Sequence, residues 1–136
     1  MEPTNTNEGA RITGDTGDSP GPGPELMAAG TLEGNDVLNL EGEKLGTIQD
    51  IMLDVPKGKI AYAVLSRGGV LGMGDKLFAI PWTALTLDTA RKCFVLNVDS
   101  QRLKDAEGFD KDKWPKMADF TWASEIHDYY DQPTYW

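Results

Sequence analysis

Cysteine and histidine are nearly absent: the 136 residues hold one of each, Cys93 and His127. A lone cysteine closes no intrachain disulfide, and a lone histidine without a cysteine pair makes no zinc set. Nor is there an Asp-x-Asp-x-Asp-Gly loop for calcium, so no metal is expected. Long apolar runs are missing too. Nothing approaches the ~20 residues of a membrane-spanning helix, and no secretory apolar region follows Met1. The chain therefore reads as soluble and cytoplasmic, without membrane insertion. No nucleophile–base pair or cofactor motif can be named, which points away from an enzyme and leaves no cofactor to expect. Cationic excess is lacking as well, with 13 Lys and Arg against 22 Asp and Glu.

The net charge of −9 is unevenly placed. Residues 1–30 hold five acids and one base, residues 31–104 nine of each, and residues 105–136 eight acids and three bases. Both ends are acidic and the middle is neutral. Acidic ends repel phosphate backbones and anionic lipid heads, which argues against nucleic acid and bare membrane as partners. Apolar residues make up 40% of the chain, enough for one core.

Three segments follow from composition: a leader over 1–28, a core over 29–100 and an extension over 101–136. In the first 25 residues Ile12 is the one large aliphatic, and Ser19-Pro20-Gly21-Pro22-Gly23-Pro24 donates no continuous hydrogen-bond ladder. Such a segment buries too little to offset its ordering entropy, and it is expected to be disordered. In the core, short apolar runs alternate with turn residues at Glu41-Gly42-Glu43, Pro56-Lys57-Gly58 and Gly68-Gly69. Strands are expected over Val37–Leu40, Lys44–Val55, Lys59–Ser66, Leu77–Trp82, Ala84–Asp88 and Lys92–Val98. Ile51, Leu53 and Val55 share a parity that Ile48 breaks, so a β-bulge near Gln49-Asp50 is expected to return Ile48 to their face. Lys59–Ser66 is apolar on both faces. Five or six such strands without intervening helices fit a small antiparallel barrel, whose closure would remove exposed edges.

Beyond Asp99 the pattern turns helical. Ser100 is placed to cap a short helix ended by Gly108, and Phe120 to about Asp131 carries Ala123, Ile126 and Tyr130 on one stripe. Gly69 to Gly74 has the glycine spacing of a P-loop, but Asp75 stands where its lysine belongs, and an apparent strand follows instead of a helix. The bland reading is a wide hairpin with Val70, Leu71 and Met73 tucked in or offered to a partner. Cys93 lies in an apolar run and reads as a small buried hydrophobe. His127 reads as a surface or packing histidine. The aromatics Phe120, Trp122, Tyr129, Tyr130, Tyr135 and Trp136 either pack over the barrel or form an interface, and in a homodimer both hold together.

The run Val37-Leu38-Asn39-Leu40-Glu41-Gly42-Glu43-Lys44-Leu45-Gly46-Thr47-Ile48-Gln49-Asp50 resembles the opening of a PRC-barrel domain. Gly58-Lys59-Ile60-Ala61-Tyr62-Ala63-Val64-Leu65 continues the likeness. Gly68 to Lys76 and Phe78-Ala79-Ile80-Pro81-Trp82 resemble the small stand-alone bacterial members in particular. The resemblance spans roughly residues 30–100 and implies a small, non-catalytic β-barrel. Relatives include the cytoplasmic part of the photosynthetic reaction-centre H subunit and a domain of a small-subunit ribosome maturation factor. In both, the barrel contacts other macromolecules, and no set of functional residues transfers with the motif. The expectation is a non-enzymatic interaction or scaffold module that self-associates, a dimer being favoured, through Val70, Leu71, Met73, Trp122, Tyr129, Tyr135 and Trp136. The alternative is an RNA-processing or ribosome-assembly accessory, which rests on fold analogy alone.

Overall fold

A computed structural model describes residues 9–14, 26–68 and 76–136. Its strands are β1 (Arg11–Thr13), β2 (Asp36–Leu38), β3 (Lys44–Asp54), β4 (Lys59–Arg67), β5 (Lys76–Pro81), β6 (Leu85–Asp88) and β7 (Cys93–Leu96). Helices α1 (Ala29–Leu32), α2 (Ser100–Asp105) and α3 (Phe120–Tyr129) complete it, with a 3-10 turn over Trp82–Ala84. The turn residues act as their chemistry predicts. The Asn39 side-chain oxygen accepts from the Glu41 and Glu43 N–H groups at 3.1 and 2.9 Å, which bends the chain between β2 and β3. Between β3 and β4, the Asp54 carbonyl accepts from Gly58 N–H at 2.9 Å and its carboxylate from Lys57 N–H at 3.2 Å.

The strands form one seven-stranded sheet in the order β1-β6-β7-β2-β3-β4-β5. Two features differ from the expected closed antiparallel barrel. First, the sheet is mixed: β2 pairs with β7 and β1 with β6 in parallel, while the other pairs are antiparallel. Second, no ladder joins β1 to β5 among the described residues, so the barrel is not closed by hydrogen bonds. The sheet still curls. Strand β5 lies at one edge and β6 next to the other, yet only the three residues Trp82–Ala84 connect them. The four steps from Pro81 to Leu85 reach about 14 Å at most, so the two ends of the sheet approach each other. The outer edge of β5 is instead taken by Phe109, which exchanges both backbone hydrogen bonds with Leu77 at 2.9 and 2.8 Å. At the other edge Arg11–Thr13 pairs with β6. The reading of the first 25 residues as unstructured therefore fails for these three, while residues 1–8 and 15–25 lie outside the described residues.

One buried cluster draws on every strand from β2 to β7 and on α2 and α3. The register of β3 on β4 shifts between Ile48 and Asp50, and Ile48 is buried, as the parity argument requires. A second irregularity between Met52 and Leu53 was not expected. Beyond it Leu53 and Val55 leave the core face and are 61% and 81% exposed. In β4, Ala61 to Ser66 are all buried; since successive side chains point to opposite faces, both faces of this strand are covered.

The extension packs back on the sheet. Asp99, not Ser100, caps α2: its carboxylate accepts from Arg102 N–H at 2.7 Å. Gly108 lies past the end of α2 and serves the β5 edge, where a Cβ would meet the Leu77 carbonyl oxygen at 2.9 Å. Asp119 caps α3 by accepting from Thr121 N–H at 2.8 Å, and the stripe Ala123, Ile126, Tyr130 is buried as expected. No helix among the described residues is long and apolar enough to cross a membrane.

Candidate functional site

The residues released from the core at the tip of the β3–β4 hairpin face the start of α3 and the chain's last residues. Between them runs an apolar groove of about 440 Å³. Met52, Leu53, Val55, Pro56, Ala61 and Tyr62 build its hairpin side; Met117, Ala118, Phe120, Ala123, Tyr135 and Trp136 build the other. Among the described residues seven large apolar side chains are exposed, and four of them, Leu53, Val55, Phe120 and Trp136, line this groove. Single exposed hydrophobes are ordinary, and several gathered on one groove are less so.

The two walls are joined by one polar contact across 81 positions of sequence: Tyr135 Oη–H donates to Asp54 Oδ2 at 2.6 Å. That bond, aided by the Lys57 N–H and the Lys57 and Lys59 charges, holds the Asp54 carboxyl below the usual carboxylate range. Burial, the bond itself and the Asp54 charge push Tyr135 up to about 12. Behind Tyr135, the buried His127 ring meets the rings of Trp136, Tyr62 and Tyr135 at 5.2, 5.4 and 6.0 Å. His127 Nδ1–H donates to the Ala123 carbonyl at 2.8 Å, and burial lowers its pKa. Tyr62 is the most buried lining residue, 1% exposed, with its ring edge-on to Trp122 at 5.4 Å. Its hydroxyl finds no hydrogen-bond partner among the described residues, and burial raises its pKa strongly. Asp54 is thus held ionised and both tyrosines are held neutral. Among the described residues no group of three or more His, Cys, Asp or Glu is placed to hold a metal.

Of the seven residues singled out in the sequence, Tyr135 and Trp136 lie in the groove. Trp136 stacks obliquely on Phe120 at 5.5 Å. Trp122 is half-buried behind Tyr62 and borders a separate cavity beside Gly108 and Phe109. Tyr129 is engaged by its own chain: its hydroxyl donates to the Arg102 carbonyl at 2.6 Å, and the Arg102 guanidinium lies 4.3 Å over its ring. Val70, Leu71 and Met73 lie outside the described residues. Leu53, Val55 and Phe120 were not in that set. For the first two, strict period-two counting hid them in the core; the turn signal at Pro56 was the one hint that the strand there runs out of the sheet.

A family model, the PRC-barrel domain, matches residues 24–103. No curated protein matches the chain. Twenty-one solved chains match it. One is a 16S ribosomal RNA processing protein, RimM, of Pseudomonas aeruginosa, 20% identical with a TM-score of 0.39; the match covers 55% of this chain and 45% of that one. This chain thus spans less than half the length of that relative.

Proposed function

Since the chain belongs to the PRC-barrel domain family, we propose that it is a non-enzymatic, cytoplasmic interaction module that docks a protein partner in the hairpin groove and also self-associates as a dimer. The observation that carries this reading is the gathering of Leu53, Val55, Phe120 and Trp136 on one groove. Burying a large apolar side chain is worth about 1.5–3 kcal/mol, so covering these four supplies a binding surface of useful strength. Leu26 and Leu40 are exposed outside the groove and leave apolar surface for a second copy.

The test is recovery of the tagged protein from its native cell at low salt, beside a Val55→Asp/Phe120→Asp variant. Both side chains are more than half exposed, so the variant should keep its stability within about 0.5 kcal/mol. A stoichiometric protein held by the native chain and lost from the variant supports the reading. Ribosomal proteins and ribosomal RNA released by a salt wash, from native and variant alike, refute it in favour of an assembly factor. Sedimentation velocity reads self-association separately: a monomer of 14.9 kDa at high concentration removes the dimer from the proposal.

A further inference from the structure

Strand β1 is held to the sheet on one side only. It has three residues, and its single ladder among the described residues is with β6: Arg11, Ile12 and Thr13 lie parallel to Thr86, Leu87 and Asp88. Ile12 is half-buried against the core, while Arg11 and Thr13 are exposed. The end of the strand is clamped, since Thr89 N–H and Thr89 Oγ1–H both donate to the Thr13 carbonyl at 3.0 Å. Gly14 follows at a φ of 96°, so close to Thr89 that a Cβ there would lie 2.5 Å from its hydroxyl oxygen. These contacts fix one register, yet they are few, and an edge element of this size opens at small cost. All of them are made to β6 and the turn after it, so residues 11–14 of another molecule would make the same set. The twelve steps from Gly14 to Leu26 reach about 43 Å at most and include Ser19-Pro20-Gly21-Pro22-Gly23-Pro24. Residues before proline avoid helical turns, so a link of this composition favours reach over a tight return.

Resting on the dimer reading above, we propose that two copies exchange β1, so that Arg11–Thr13 of each molecule adds in parallel to β6 of the other. The outer edge of β6 is then a strand-acceptor site. A second copy is its occupant, because this chain's own segment is the one shown to fit there. The ladder is the same within a copy or between copies, so concentration and any contact that exchange adds decide between the two forms. Leu26, 71% exposed at the far end of the link, offers such a contact. The net charge of −9 on each copy opposes the approach and salt screens it, so exchange rises with concentration and with ionic strength.

The experiment has two arms, both on the full chain. Sedimentation velocity compares the native protein with Ile12→Asp up to about 1 mM, the effective concentration of a short tether. A disulfide trap then mixes two single-cysteine variants, Arg11→Cys and Thr86→Cys, each carrying Cys93→Ala, under mild oxidation. Paired residues on neighbouring strands lie about 5 Å apart, within reach of a disulfide. The expected result is a dimer that grows with concentration and salt and is weakened at least about tenfold by Ile12→Asp. In the trap, a disulfide should join position 11 of one variant to position 86 of the other, in preference to either variant's own. A native chain that stays monomeric throughout overturns both the dimer reading and the exchange. A dimer that yields no such mixed disulfide overturns the exchange while the dimer reading stands.

Discussion

Tyr62→Phe isolates a single oxygen atom. The ring sits 5.4 Å from both Trp122 and His127, and phenylalanine keeps those edge-on contacts. Only the hydroxyl is removed, at a site 1% exposed where it has no partner among the described residues. Leaving such a group buried and unpaired costs about 1–3 kcal/mol, so its deletion should stabilise the fold by about 1 kcal/mol or more. For a domain near this size about 1 kcal/mol moves Tm by roughly 4 °C. Urea unfolding followed by tryptophan emission reads the change as a higher midpoint at unchanged slope. A loss of about 1 kcal/mol or more on Tyr62→Phe would refute the reasoning, because it would mean that the hydroxyl is paired in solution.

Three other perturbations test separate parts of the structure. At Gly46 a Cβ would lie 2.4 Å from the Ser66 carbonyl oxygen, so Gly46→Ala should cost about 1–3 kcal/mol in chemical denaturation; a neutral result would show that β3 and β4 separate easily there. Tyr135 has its pKa raised from 10.0 to about 12, so the stability it contributes is complete below pH 10 and is lost as pH rises through about 12. Trp136 emission should shift to the red over that window, and Tyr135→Phe should shift it already at neutral pH. His127 has its pKa lowered from 6.5 by burial, so the unfolded chain takes up its proton first and stability declines as pH falls below 6.5. His127→Gln, which still offers a donor to the Ala123 carbonyl, should flatten that decline; an unchanged pH profile would place the acid sensitivity elsewhere.

Local pattern was readable wherever the determinant was local. The parity break at Ile48 revealed the β3 bulge, and the spacing of Ala123, Ile126 and Tyr130 revealed the buried stripe of α3. Determinants that act across the chain left no trace. Arg11-Ile12-Thr13 has one apolar residue and becomes a strand because Thr86–Asp88 lies open beside it. The parallel pairing of β2 with β7 follows from the short corner at Trp82–Ala84, and alternation within either strand is silent about partner direction. The groove was half legible. Aromatic content marked Tyr135 and Trp136, but the same signal marked Tyr129, which Arg102 engages from α2. Leu53 and Val55 escaped because a second register shift inverts their facing, and nothing in the residue types announces it.

The Tyr135–Asp54 bond also sets an order of events during synthesis. Its partners are 81 residues apart, so the hairpin leaves the ribosome before the wall that will cover it has been made. At about 5–20 residues per second the interval is roughly 4–16 s. Through that time Met52, Ala61 and Tyr62 lack Ala123 and Tyr135 as cover, while Leu53 and Val55 stand exposed beside them. A nascent chain at this stage offers chaperones an apolar hairpin with half a groove. The groove is assembled only once Tyr135 and Trp136 have joined the hairpin, so it cannot be engaged whole before they are made.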